Sequence, residues 1–235
     1  MSPSIRVGLL GTFSLVHEGR HVDLPPSGQR LVAFLALHEG PLLRARIAGT
    51  LWPDASDEHA HASLRSALWR VHRSGCQVVA TVGARLALSA GVDVDARALA
   101  CLAHEVVDET RPLPEDVVSL VGKLSADLLP DWYEDWIAGE RQQLEHLRLH
   151  ALEALSERLL AAGRTEEAGE AALAGVAVDP LRESAHRAVI RVHLAEGNVA
   201  VALRRYAAFR RLSKERLGVP PSARMEELIR PVTGR

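Results

Sequence analysis

The sequence predicts a mainly α-helical fold with a small β component, arranged as two successive domains. Three observations carry that expectation. Alternating and hairpin-like runs are confined to residues 1–92, a 34-residue spacing recurs in the later helices, and the two halves of the chain carry opposite charge balances.

From Ile5 to Val16 apolar and polar residues alternate, with Gly8 and Gly11 interrupting, which suits a strand with a bulge. Glu18-Gly19-Arg20 reads as a turn, and His21 to Leu24 as a second short strand ended by Pro25-Pro26. Ser27 can cap a helix over about Gly28 to His38, stopped by Gly40-Pro41, and a second helix of about Arg44 to Leu51 ends at Trp52-Pro53. A third, capped within Asp54 to Asp57, reaches about Arg73. At about 100° per residue its Ala60, Leu64, Ala67, Leu68 and Val71 form one seam facing a core. The opposite side carries His59, Ala62, Ser63, Ser66, Trp69, Arg70 and Arg73, with Arg65 at its margin and no acid after Glu58. Small residues permit close approach to a groove floor, while serine and arginine can bond base edges or phosphates. The same pattern also describes an ordinary solvated helix face. After Ser74-Gly75, Val78 to Val82 and Arg85 to Leu88 flank Gly83-Ala84 as a hairpin, with Arg85 near its tip. Strands, three helices and a hairpin in this order describe a winged helix-turn-helix.

From Val94 onward the chain reads as helices: about Asp95 to Val106, Glu115 to Leu128, a long one from Trp132 to Ala162, then Thr165 to Val178, Leu181 to Glu196, Val199 to Arg216 and Ser222 to Arg230. The long helix carries a stripe of Ile137, Leu144, Leu147, Ala151, Leu155 and Leu159. Gly163-Arg164-Thr165 and Gly197-Asn198-Val199 stand 34 residues apart, as do Leu155 with Val189 and Leu160 with Leu194. That period belongs to tetratricopeptide-like helix pairs, so residues 93–235 are expected to form an all-α repeat domain with a protein-binding surface.

Residues 1–92 hold nine Arg, no Lys and six acids, a net of +3, against −5 for the rest. The asymmetry favours a polyanion partner for the first half and activation or assembly, rather than DNA affinity, for the second. Met1 to Pro26 lacks the apolar run of a secretory signal, and no stretch reaches membrane-spanning length, so a cytoplasmic location without membrane contact is expected. Cys76 and Cys101 stand apart, which fits reducing surroundings and argues against a zinc site. Gly122-Lys123 lacks the earlier Gly of a phosphate loop, and no nucleophile elbow or triad context occurs; neither an enzyme nor a cofactor is expected. His146 and His150 share one helix face without a third ligand, so a solvated face is favoured over a metal site. Trp132, Tyr133 and Trp136 are read as core at helical spacing, with an aromatic binding platform as the alternative.

Several strings carry a family resemblance. They are Leu51-Trp52-Pro53, Ser63-Leu64-Arg65 and Val92-Asp93-Val94 in the first half. In the second they are the run from Asp127 to Trp136 with Glu140-Arg141, Asp179 to His186, Tyr206 and Leu217 to Ser222. With these the chain resembles the SARP family of actinobacterial activators, in which an OmpR-type winged helix precedes a bacterial transcriptional activator domain. The resemblance implies a factor that binds direct repeats in double-stranded DNA near a promoter, as a homodimer on DNA, and recruits RNA polymerase, commonly for secondary metabolism. It departs from many members in having Val71-His72 where they carry Leu-Arg, and in the acidic Asp57-Glu58. The DNA contacts expected are His59, Ala62, Ser63, Arg65, Ser66, Trp69, Arg70, Arg73 and Arg85. The rival class is a protein-interaction adaptor whose winged helix no longer reads DNA.

Overall fold

A computed structural model describes residues 5–234 of the chain, and its internal contacts divide it into two compact units. The first comprises the described residues up to Leu99 together with Asp127–Gln143; the second holds Ala100–Ala126 and the residues from Leu144 onward. The expected cut between residues 92 and 93 therefore differs from the grouping of contacts, and hydrogen bonding accounts for much of the difference.

In the first unit, β1 (Ile5–Gly8) pairs antiparallel with β2 (Ser14–His17), which pairs with β3 (Arg20–His21). The single bulged strand expected over residues 5–16 is thus a hairpin. Its connecting residues find partners far along the sequence: the amides of Leu9 and Leu10 donate to the Asp95 carboxylate at 2.8 and 3.0 Å, and the Gly11 amide to the Asp127 carbonyl at 2.7 Å. Gly11, at φ +88°, supplies the left-handed residue that turns the chain back. Strand β7 (Val92–Val94) lies parallel to β1, with Ile5 opposite Val92 and Val7 opposite Val94, giving the order β3-β2-β1-β7. A boundary at residue 92 would strip this strand from its sheet.

Helix α1 (Pro26–Leu37) begins at an N-cap Pro25 with Pro26 in the first turn, so Ser27 is not the cap. Proline fits the first helical position because its missing N–H would have no helical partner there. Residues 31–36 of α1 are all buried. Next come β4 (Leu42–Leu43), α2 (Arg44–Leu51), α3 (Asp57–Arg73), β5 (Val79–Val82) and β6 (Arg85–Leu88), the three strands forming a second sheet ordered β4-β6-β5.

Asp127–Gln143 completes this unit. The Leu129 amide donates to the Leu9 carbonyl at 2.9 Å, and Glu134 pairs with Arg30 at 2.7 Å. Phe13 stacks on Trp132 at 6.1 Å between centroids, while Trp136 meets Phe34 edge-on at 5.3 Å and Trp132 at 6.3 Å. Arg141 donates to the carbonyls of Leu128 and Trp132, each at 2.8 Å, and of Leu129. Trp132 and Trp136 therefore pack as expected, but Tyr133 is 91% exposed and belongs to no core.

In the second unit, α4 (Asp95–Val107) enters from the first, α5 (Val117–Leu124) is capped by Asp116, and α6 (Asp135–Ala161) continues into the unit from Leu144. Helix α5 is shorter than the expected Glu115–Leu128, and α6 begins three residues later than expected. Helices α7 (Thr165–Val178), α8 (Glu183–Ala195), α9 (Val199–Leu217) and α10 (Ala223–Thr233) follow. The 34-residue period is structural: Gly163 and Gly197 both sit at φ +76°. In matching closures, the Arg164 amide reaches the Leu159 carbonyl at 2.9 Å and the Asn198 amide the His193 carbonyl at 2.8 Å. Alanines 168, 171 and 172 are buried on α7, and a Cβ at Gly175 would stand 3.5 Å from that of Ala185, so α7 and α8 approach closely. Ile190, Ala202, Phe209, Met225 and Ile229 close the core over α8, α9 and α10. In chain order, a tetratricopeptide-like helical array thus follows a winged helix-turn-helix. Among the described residues no helix is long and apolar enough to cross a membrane.

Candidate nucleic-acid interface

Helix α3 is set by both its cap and its buried seam. The Ser56 hydroxyl accepts from the His59 amide at the N-terminus, and Asp57 and Glu58 lie in the first turn, where their charge complements the helix dipole. Ala60, Leu64, Ala67, Leu68 and Val71 are buried, the seam read from the sequence. At Gly28 a Cβ would stand 3.3 Å from a Val71 methyl, so this glycine allows α1 to cross α3 closely.

The opposite face holds the expected contact residues. Arg65, Ser66, Trp69, Arg70 and Arg73 are exposed, while Ala62 and Ser63 are half-buried between them. Arg65 and Ser66 have no side-chain partner among the described residues. Trp69 is 58% exposed, and the Arg73 guanidinium lies 5.0 Å from its ring centroid, a cation–π contact that holds both side chains at the surface. Arg70 donates to the Ser27 hydroxyl at 3.3 Å, which positions it over the start of α1. His59 is exposed, but its Nδ1 lies 2.7 Å from the Ser56 hydroxyl and so serves the cap.

Arg85 stands apart from this face. It begins β6, opposite both Val82 and Leu43, and donates to the Pro41 carbonyl at 3.3 Å. Arg44, at the first position of α2, reaches the Thr81 hydroxyl at 3.5 Å and so brings a second guanidinium to the hairpin. The sequence reading missed Arg44; the signal available was Arg44-Ala45-Arg46 at a helix start, where no acid follows. His146 and His150 have rings 4.4 Å apart, yet no cluster of three metal-ligating side chains occurs among the described residues.

An exposed arginine-bearing helix on a winged-helix unit, followed by a tetratricopeptide-like array, defines a transcription regulator of the two-part type. Residues 96–233 match the family described as "Bacterial transcriptional activator domain", and the chain belongs to that family, within the SARP regulators. It is 29% identical over 217 residues to the regulatory protein AfsR of Streptomyces griseus, an alignment that covers 86% of this chain and 22% of that one. The chain thus spans about a fifth of the length of that relative. In fold it is similar to Mycobacterium tuberculosis EmbR, solved in complex with a low affinity phosphopeptide, with a TM-score of 0.78 and 19% identity over 99% of this chain and 66% of the other.

Proposed function

We propose that this chain is a sequence-specific DNA-binding activator that lays α3 in the major groove of short direct repeats and recruits RNA polymerase from a promoter-proximal site in the cytoplasm. The observation that carries the reading is the outward face of α3. Three arginines, two serines, an alanine and a tryptophan lie there, and no acid follows Glu58. Arg65 and Arg70 are assigned to base edges or phosphates, Ala62, Ser63 and Ser66 to the close approach, and Trp69 with Arg73 to the groove wall. His59 at the helix start and Arg85 beside the hairpin are assigned to the flanking phosphates. Two copies on one repeat gain affinity from each other through effective concentration, which suits a module with few base contacts.

Selection of bound fragments from a random duplex pool tests the reading and yields the operator. Arg70→Ala is then expected to weaken operator binding by about 1–3 kcal/mol while affecting scrambled DNA less, if it reads a base. A uniform loss on both DNAs would reassign it to a phosphate. Failure to enrich any sequence, with Arg65→Ala and Arg70→Ala leaving affinity for both DNAs unchanged, refutes the proposal in favour of an adaptor.

A further inference from the structure

The net charge of −5 after residue 92 conceals a sharp segregation. Residues 93–198 hold ten Lys and Arg against 21 acids, whereas residues 199–235 hold nine against three, a net of +6. Six of those nine cations lie on α9: Arg204, Arg205, Arg210, Arg211, Lys214 and Arg216, all exposed, with Glu215 the helix's one acid.

Their surroundings differ from those of the earlier arginines of the unit. Arg158 is held by the carbonyls of Val106 and Arg111, and Arg164, Arg182, Arg187 and Arg191 pair with Glu167, Glu153, Glu183 and Glu157. On α9, Arg204, Arg210, Arg211 and Lys214 have no carboxylate or carbonyl partner among the described residues. The helix dipole accounts for cations in the last turn, Lys214 and Arg216, but not for Arg204, Arg210 and Arg211 further back.

At about 100° per residue, Arg211 falls diametrically opposite the buried Ala202, Phe209 and Ser213, with Arg204 and Lys214 in the same row and Arg210 beside it. The same side carries the exposed Ala200, Ala207 and Ala208 and one acid, Glu215, a turn after Arg211, which leaves the cations in excess. A groove of about 490 Å³ lined by Arg210, Arg211, Lys214, Gly218, Val219 and Pro220 continues it past the helix end.

We infer that the outward face of α9 is a second nucleic-acid surface, which grips the phosphate backbone without reading sequence. Guanidinium groups match phosphate oxygens bidentately, and the intervening alanines let a backbone come close. From Arg204 to Lys214 the row spans about 15 Å, room for several phosphates and more than a single small anion needs. An acidic protein partner is less well matched, because the middle of the row presents no aromatic or large aliphatic anchor of the kind that concentrates protein–protein binding energy. The inference stands independently of the role given to α3.

The test uses the whole chain and a random-sequence duplex, with affinity followed by fluorescence anisotropy over a series of salt concentrations. Replacing Arg204, Arg210, Arg211 and Lys214 together by Gln is expected to lower affinity at least tenfold near physiological salt. It should also flatten the log–log salt slope by up to about 3.6 if all four meet phosphates, since each neutralised phosphate contributes roughly 0.9. The four-Lys variant keeps the charge and is expected to keep most of the slope, which separates lost contacts from a damaged fold. An unchanged slope in the Gln variant, with the helical circular dichroism intact, overturns the inference. So does a variant that binds duplex normally but no longer binds a polyglutamate peptide, which would assign the face to acidic proteins. A parallel set with Arg65, Arg70 and Arg73 changed to Gln reports on α3 alone: loss of operator preference with the residual slope intact supports both surfaces, and loss of the whole slope overturns the α9 assignment.

Discussion

Trp136 belongs by sequence to the helical half, yet its ring meets Phe34 of α1 edge-on at 5.3 Å and Trp132 at 6.3 Å, and its Nε1 donates to a Glu134 carboxylate oxygen at 2.6 Å. Truncating a buried Trp costs about 3–5 kcal/mol. Trp136 is half-buried and a Leu retains part of the contact, so Trp136→Leu is expected to cost about 2 kcal/mol. Edge-to-face pairs add about 0.5–1.5 kcal/mol beyond the area they bury. A double-mutant cycle with Phe34→Leu should therefore return a coupling of about 1 kcal/mol. Urea unfolding followed by amide exchange of α1 measures this within the first unit, where one global transition would blend the two units. A coupling indistinguishable from zero, or a loss confined to amides of α7 to α10, would refute the assignment of Asp127–Gln143 to the first unit.

The paired glycines give a second test. Gly163 and Gly197 share φ +76° and nothing lies within 4 Å of an added Cβ, so an Ala at either meets only the left-handed backbone penalty of about 1–2 kcal/mol. Both variants should lower the melting temperature by similar amounts, and a neutral Gly197→Ala would contradict the shared closure. A third concerns acid. His186 is buried, with its ring 4.5 Å from Phe209 and Nε2 2.9 Å from the Pro180 carbonyl. Burial pushes its pKa down; the Pro180 carbonyl and Asp179 oppose this and the charge of Arg205 reinforces it. The unfolded chain therefore binds a proton first. The contribution of neutral His186 is complete above about pH 6.5 and is lost as pH falls from there through the lowered folded value. His186→Asn should flatten the fall in melting temperature between pH 7 and 5, and an identical slope would remove His186 as its source.

What the sequence made legible was local. Arg44–Leu51 and Thr165–Val178 were bounded by Pro and Gly at their ends, and the buried seam of α3 followed from spacing alone, because a helix fixes which side chains share a face. What it hid was set by distant partners. The reversal at residues 9–13 carried no strong turn signal, since Asp95 and Asp127 satisfy its amides, and the parallel pairing of β1 with β7 joins residues almost ninety positions apart. Trp132 and Tyr133 looked helical, yet α6 starts at Asp135, which leaves Trp132 against Phe13 and Tyr133 in solvent. Within the candidate site, the exposed face of α3 was readable, but the tie of Arg70 to Ser27 and the arrival of Arg44 at Thr81 depend on how α1, α2 and the hairpin pack.

The interleaving of the two units also orders events at the ribosome. The first unit cannot be finished when Leu99 has been made; it waits for Gln143, 44 residues later. At roughly 5–20 residues per second that is a delay of about 2–9 s. Through that interval β1 can already pair with β2 and β7, but Phe13, Phe34 and Arg30 face solvent or a chaperone where Trp132, Trp136 and Glu134 will later sit. A nascent chain interrupted in this window carries an uncovered aromatic face. The last step in closing the first unit then comes from a segment whose neighbours on both sides in the sequence build the second.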